Sequence, residues 1–151
     1  MKYIAQAEAF DAAFEEARQA ALRDEVPVGA VIVKDGEIIA RAGNAPRERH
    51  DPTAHAEVLA IRAACEKLDD ERLSGCDLYV TLEPCAMCAA AISFARIRRL
   101  YFAASDAKGG AVENGGRFFS QSSCHHAPEV YGGIREQEAA EMLKEFFAEK
   151  R

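Results

Sequence analysis

No run of apolar residues in this 151-residue sequence approaches the roughly 20 that a membrane-spanning helix needs. The opening "MKYIAQAEAFDAAFEEARQA" interrupts its apolar positions with acids, unlike the core of an export signal, so the expected location is the cytoplasm and no membrane partner is expected. An even set of cysteines is also missing. Cys65, Cys76, Cys85, Cys88 and Cys124 are five, which speaks against a disulfide framework and for thiols or metal ligands. Positive charge is in deficit, with a formal net charge of −6; this argues against indiscriminate binding to phosphate backbones but not against a local basic patch. There is no internal repeat and no low-complexity linker. A composition of 49% hydrophobic and 29% charged residues predicts one domain over residues 1–151.

The periodicity is mixed. Ala7, Phe10, Ala13, Phe14, Ala17 and Ala21 recur at helical spacing and predict an amphipathic helix over Tyr3 to Leu22. "PVGAVIVKDGEIIARAGN" is two β-rich runs joined by Asp35-Gly36, a dipeptide that supplies the positive φ of a tight hairpin. The polar, proline-bracketed "APRERHDP" from Ala45 to Pro52 predicts a loop, with a helix beginning near Thr53 or Ala54. "CDLYVTLEP" then reads as a buried strand, "CAMCAAAISFARI" as a helix and "RRLYFAAS" as a strand. Two successive strand-helix-strand steps predict right-handed crossovers and a partly parallel sheet covered by helices. "DAKGGAVENGG" is a long glycine-rich loop, a kind often functional. "FFSQSSCHHAPEVYGG" is ambiguous. "IREQEAAEMLKEFFAEKR" is a terminal helix with Ala139, Met142, Leu143, Phe146 and Phe147 on its apolar side.

Two short motifs carry chemistry. In "PCAMC", Cys85 and Cys88 stand at the start of a helix, where both sulfurs can face one point and the helix N-terminus favours thiolates. Alone, this spacing leaves zinc ligation, redox chemistry and chance all open. "HAE" places His55 and Glu57 two apart, a spacing that supports no lateral contact on a helix, since the two directions differ by roughly 200°. At a first turn, however, both side chains reach the space beyond the helix end. His55 with Cys85 and Cys88 makes three ligands, which describes a catalytic zinc site with an open position rather than a closed structural one. His50, Cys124, His125 and His126 have no recognisable ligand spacing to this set. Glu57 is placed for general acid-base work beside the metal.

"HAE" followed by "PCAMC" is the known H-x-E…P-C-x-x-C signature of the zinc nucleobase deaminases. "EVPVGAVIV", Gly43-Asn44, "HDPTAHAE", "LYVTLEPCAMC", "RIRRLYFAASDAKGGA" and the "FF" near the end more narrowly resemble the bacterial tRNA-specific adenosine deaminases. This resemblance covers Glu25 to about Ala111 and the C-terminal motif. It implies a three-layer α/β/α cytidine-deaminase-like fold with a mixed five-stranded sheet. It also implies one Zn2+ per subunit on His55, Cys85 and Cys88, Glu57 as proton shuttle, and substrate contacts from Asn44, Asp106 and Val28. The implied reaction is hydrolytic deamination of adenosine to inosine at the wobble position of a tRNA anticodon, in a homodimer.

An anticodon loop suits such a site because its unpaired bases can be splayed out without opening a duplex. Arg47, Arg49, His50, Lys108, Lys150 and Arg151 are candidate backbone contacts, each equally readable as a solvated charge. Phe147 is a candidate stacking residue. The alternative function is a small-molecule deaminase of guanine or cytosine type using the same zinc site. A zinc-stabilised binding module without catalysis would need a fourth protein ligand and would leave Glu57 without a role.

Overall fold

The computed structural model describes residues 4–150. Tyr3 and Arg151 therefore lie outside the described residues. The first helix, α1 (Gln6–Leu22), buries Phe10, Ala13, Phe14 and Ala17 of the predicted stripe, with Ala9 and Ala20 buried in place of Ala7 and Ala21. Strands β1 (Gly29–Lys34) and β2 (Glu37–Gly43) pair antiparallel, and the turn between them has positive φ at Asp35 and Gly36, as a two-residue hairpin of this hand requires. Gly29 and Gly43 are partners in that register. A Cβ at Gly29 would lie 1.9 Å from the Ala13 carbonyl oxygen, and one at Gly43 would lie 2.6 Å from that of Glu16. Bare backbone there lets α1 lie directly on the hairpin.

After β2 come α2 (Pro46–Arg49), α3 (Ala56–Leu68), β3 (Cys76–Leu82), α4 (Ala86–Phe94), β4 (Arg99–Ala104), a 3-10 turn over Phe118–Ser120, β5 (Glu129–Tyr131) and α5 (Glu136–Glu149). The sheet order is β2-β1-β3-β4-β5. β3 runs antiparallel to β1, while β3, β4 and β5 are mutually parallel. The helix α3 thus carries the chain from β2 across β1, and α4 joins adjacent parallel strands.

Alternate residues of the central strands feed two cores, as the pleat dictates. Ile32, Leu78, Val80, Leu100 and Phe102 pack with Ala56, Ala60, Ala89 and Ile92 of α3 and α4. Val31, Tyr79, Tyr101 and Ala103 face Phe10 and Phe14 of α1 and Ala139 of α5. Helices therefore cover both faces of a mixed five-stranded sheet, the architecture the sequence predicts. No helix among the described residues is long and apolar enough to cross a membrane.

Several local expectations are corrected. The segment read as a loop before the third helix contains α2, because Pro46 is its first helical residue, where a missing N–H costs nothing. Helix α3 starts at Ala56 rather than at Thr53 or Ala54: the N–H and hydroxyl of Thr53 both donate to Asp51 Oδ1, which holds a turn there. The ambiguous stretch supplies the fifth strand. In α5 only Ala139 of the predicted apolar side is buried, and Phe147 is 48% exposed.

Candidate active site

His55 and Cys85 are the N-cap residues of α3 and α4, both with extended backbone. The two helices enter their turns at the same end of the sheet, so their first residues meet. His55 Nδ1 lies 3.6 Å from Cys85 Sγ and 3.5 Å from Cys88 Sγ. Among the described residues, this trio is the group of His, Cys, Asp and Glu side chains placed to hold a metal ion, its donor atoms within 4.8 Å of one another. No fourth such residue joins it; His50, Cys124, His125 and His126 lie outside the group. Cys124 Sγ instead donates to the carbonyl oxygen of His126, and the His126 ring lies 2.8 Å from that of Ile97.

The electrostatics follow from this crowding. A hydrogen bond from Cys88, with His55 assisting, draws the Cys85 thiol down to about 4. Donation to Cys85 together with burial pushes the Cys88 thiol up, and the Cys85 contact raises His55 against the effect of its burial. Glu57, in the first turn of α3, is almost fully buried; that burial, reinforced by the negative Cys85, pushes its carboxyl up to about 7. A carboxyl poised there can take and return a proton near neutrality.

A cavity of about 330 Å3 opens on these groups, with Val28, Asn44, His55, Glu57, Cys85 and Asp106 in its lining. The seven side chains assigned from the sequence are thus either in the lining or, for Cys88, directly behind it. Asn44 is buried and its Oδ1 accepts from the Ala56 N–H at 2.8 Å. It caps α3 in place of His55, whose ring is turned to the cysteines and makes no capping bond. Asp106 Oδ1 accepts from the backbone N–H groups of Lys108 and Gly109.

Two further cavities adjoin this one. The first, of about 470 Å3, shares Val26, Asn44 and Pro46 with it, and the second, of about 500 Å3, shares Val26, Leu82, Asp106 and Gly109. Phe147 lines both. A groove of about 520 Å3 between α1 and α5 holds none of the assigned side chains.

Of the basic candidates, Arg47 and Lys150 both form ion pairs with Asp24, and the Lys150 ammonium lies 5.2 Å from the centroid of the Phe146 ring. Sequence reasoning passed over two buried carboxylates, Glu83 in the lining of this cavity and Glu25 in that of the neighbour of about 470 Å3, each 2% exposed. Glu25 accepts from the N–H groups of Arg47 and Glu48 and so completes the start of α2. An acid inside an otherwise apolar run, as in "EVPVGAV" and "LYVTLEP", was the available signal, since such a group must find donors once buried.

A family model described as MafB19-like deaminase matches residues 4–151. A tRNA-specific adenosine deaminase of Agrobacterium fabrum is 68% identical over 139 residues, 92% of this chain and 91% of that protein. The chain belongs to the tRNA-specific adenosine deaminases. A solved structure from work on A-to-I editing by tRNA:A34 deaminases at the wobble position superposes with a TM-score of 0.90 at 65% identity, covering 91% of this chain and all of that one. A guanine deaminase from Bacillus subtilis shares the fold less closely, with a TM-score of 0.66 at 31% identity over 97% of this chain and 94% of its own. The small-molecule reading is therefore the less favoured one.

Proposed function

We propose that this protein is a zinc-dependent hydrolase that converts adenosine to inosine at the wobble position of a tRNA anticodon. The observation that carries the reading is the convergence of one imidazole nitrogen and two sulfurs on a cavity that also holds a buried carboxyl of raised pKa. Two thiols and an imidazole, one thiol already ionised, are a donor set suited to zinc and leave a position open towards the cavity. His55, Cys85 and Cys88 would hold the ion, one per chain. Zinc bound there supplies a Lewis acid that makes water a nucleophile towards C6 of adenine.

The chain's own residues do the rest. Glu57 accepts a proton at its carboxylate and delivers it to the purine, so that the exocyclic nitrogen leaves as ammonia. Its burial removes competing solvent and keeps its proton affinity close to that of the groups it serves. Asn44 has its Oδ1 committed to Ala56, so its Nδ2 side is the one that would read the substrate. Val28 would pack on the base, and Asp106 would bond the substrate from the opposite wall.

The adjoining cavities around Phe147 support a substrate longer than one nucleoside, because neighbouring unstacked bases need aromatic surface to rest on. Within the cytoplasmic, single-domain reading of residues 1–151, the homodimer rests on membership of the tRNA-specific adenosine deaminases. Incubation with an anticodon stem-loop and, in parallel, with free adenine, guanine and cytosine tests the assignment. Inosine in the stem-loop is the expected result; ammonia from free bases with no inosine in RNA would overturn it.

A further inference from the structure

Glu83 follows β3 and precedes the cysteine motif, and its carboxylate is the hub of the loop that closes the far wall of the cavity. Oε1 accepts from the Asp106 N–H at 3.0 Å, the Asn114 side-chain amide at 2.7 Å and the Ser105 hydroxyl at 3.3 Å. Oε2 accepts from the N–H groups of Val112 at 3.0 Å, Glu113 at 2.9 Å and Asn114 at 3.1 Å. Six donors on one buried carboxylate outnumber the roughly four lone-pair sites of its two oxygens, so the loop donors share them. The donors belong to the two ends of a single loop, so one side chain ties Asp106 to Asn114.

The loop sequence is fitted to this arrangement. A Cβ at Gly110 would stand 2.4 Å from Glu83 Oε2, so residue 110 must be glycine for the carboxylate to sit beneath the loop. The Ala111 N–H also donates to the Pro84 carbonyl, next to Glu83. With no helix or strand between Ala104 and Phe118, the loop has no backbone ladder to fix it, and the Glu83 bonds do that work. Asp106 and Gly109, which line the catalytic cavity together with Glu83, belong to the tied segment, and both Glu83 oxygens are already taken up by loop donors.

We propose that Glu83 is a positioning residue for substrate binding: through the 105–114 loop it sets where Asp106 meets the substrate, and it governs affinity rather than the chemical step. The inference rests on the deaminase reading of the cavity.

Glu83→Gln tests it, because the amide retains one acceptor and presents N–H groups to donors at the other. On an anticodon stem-loop, KM is expected to rise about tenfold or more with kcat changed by less than about threefold, at unchanged zinc content. If Glu83 acts through Asp106, adding Glu83→Gln to Asp106→Ala raises KM by less than about twofold further. A fall in kcat at constant KM, loss of zinc, or independent multiplication of the two effects would overturn the proposal.

Hydrogen exchange gives a readout that does not depend on activity. The amides of Asp106, Val112, Glu113 and Asn114 should lose protection in Glu83→Gln while those of α4 keep theirs; unchanged protection would overturn the proposal. Should Glu83→Gln fail to fold, Asn114→Ala removes a donor to both Glu83 and Ser105 at the loop's surface and carries the same two measurements. A wild-type protein that makes no inosine would count against the deaminase reading, whereas the exchange result would still decide the role of Glu83 in the loop.

Discussion

Asn44 and Ala56 are joined by a 2.8 Å hydrogen bond from the Ala56 N–H to the Asn44 side-chain oxygen. One residue therefore stands both in the wall of the cavity and at the start of the helix that carries His55 and Glu57. Capping by Asn44 frees His55, the residue in the N-cap position, to turn its imidazole to the cysteines. In the proposed function, substrate recognition and the geometry of the His55, Cys85 and Cys88 group share this bond.

Asn44→Asp and Asn44→Ala separate the two roles. An aspartate keeps the accepting oxygen and removes the amide donor, so its melting temperature should stay near wild type while KM rises. Alanine also loses the cap, worth about 1 kcal/mol, and should melt lower by about 2–4 °C. Equal melting temperatures for the two variants, by calorimetry, would contradict the capping role.

Glu57→Gln keeps the size of the side chain and removes its ability to cycle a proton. The expected loss in kcat is about 100-fold to 10,000-fold, with zinc content unchanged by elemental analysis. Retention of full activity would dismiss Glu57 as the proton carrier.

Chelation should abolish turnover, and added Zn2+ should restore it at one ion per chain. Because an ion held by the folded protein stabilises it by mass action, the apo form should melt at a lower temperature. A scan showing equal melting with and without zinc would count against a site built from His55, Cys85 and Cys88.

Gly29 touches the backbone of α1, with the Ala13 carbonyl oxygen 1.9 Å from any Cβ added there. Gly29→Ala forces helix and hairpin apart and should cost about 1–3 kcal/mol, read from denaturant unfolding. A neutral substitution would show that α1 does not rest on the hairpin as described.

Alkaline stability should depend on Tyr79, whose ring stacks on Tyr101 with centroids 4.5 Å apart. Burial, with Tyr101 and Asp77 assisting, pushes its phenol well above 10. In the unfolded chain the phenol ionises near pH 10, so the contribution is fully present below that pH and is lost as pH rises from there towards the higher folded value. Melting temperatures of wild type and Tyr79→Phe across pH 8 to 11 should diverge, the wild type falling more steeply above about pH 10.

Much of this was legible in the sequence because it depends on neighbours along the chain. Asp35-Gly36 sets the hairpin turn through its own φ angles, and "GAVIVK" and "LYVTL" are near-continuous apolar runs because their strands are buried on both faces. "HAE" and "PCAMC" point to metal ligands and a proton carrier only when taken together, since the cysteine spacing alone leaves redox chemistry and chance open. The fifth strand was hidden: Glu129–Tyr131 is three residues long, too short to show a period. The one-turn helix α2 was missed because its free N–H groups are satisfied by Glu25, more than twenty residues away.

The sequence alone determined the local pieces: the elements with clear periodicity, the hairpin, and which side chains can bind metal or move a proton. Only the tertiary structure decided their convergence. His55 reaches Cys85 because α3 crosses β1 and brings its first residue to the end of the sheet where α4 begins. Glu83 becomes a hub because folding buries it among the donors of the 105–114 loop. Short-range torsional preferences and side-chain chemistry are written residue by residue, whereas these distances depend on sheet order and register, which the whole chain must settle together.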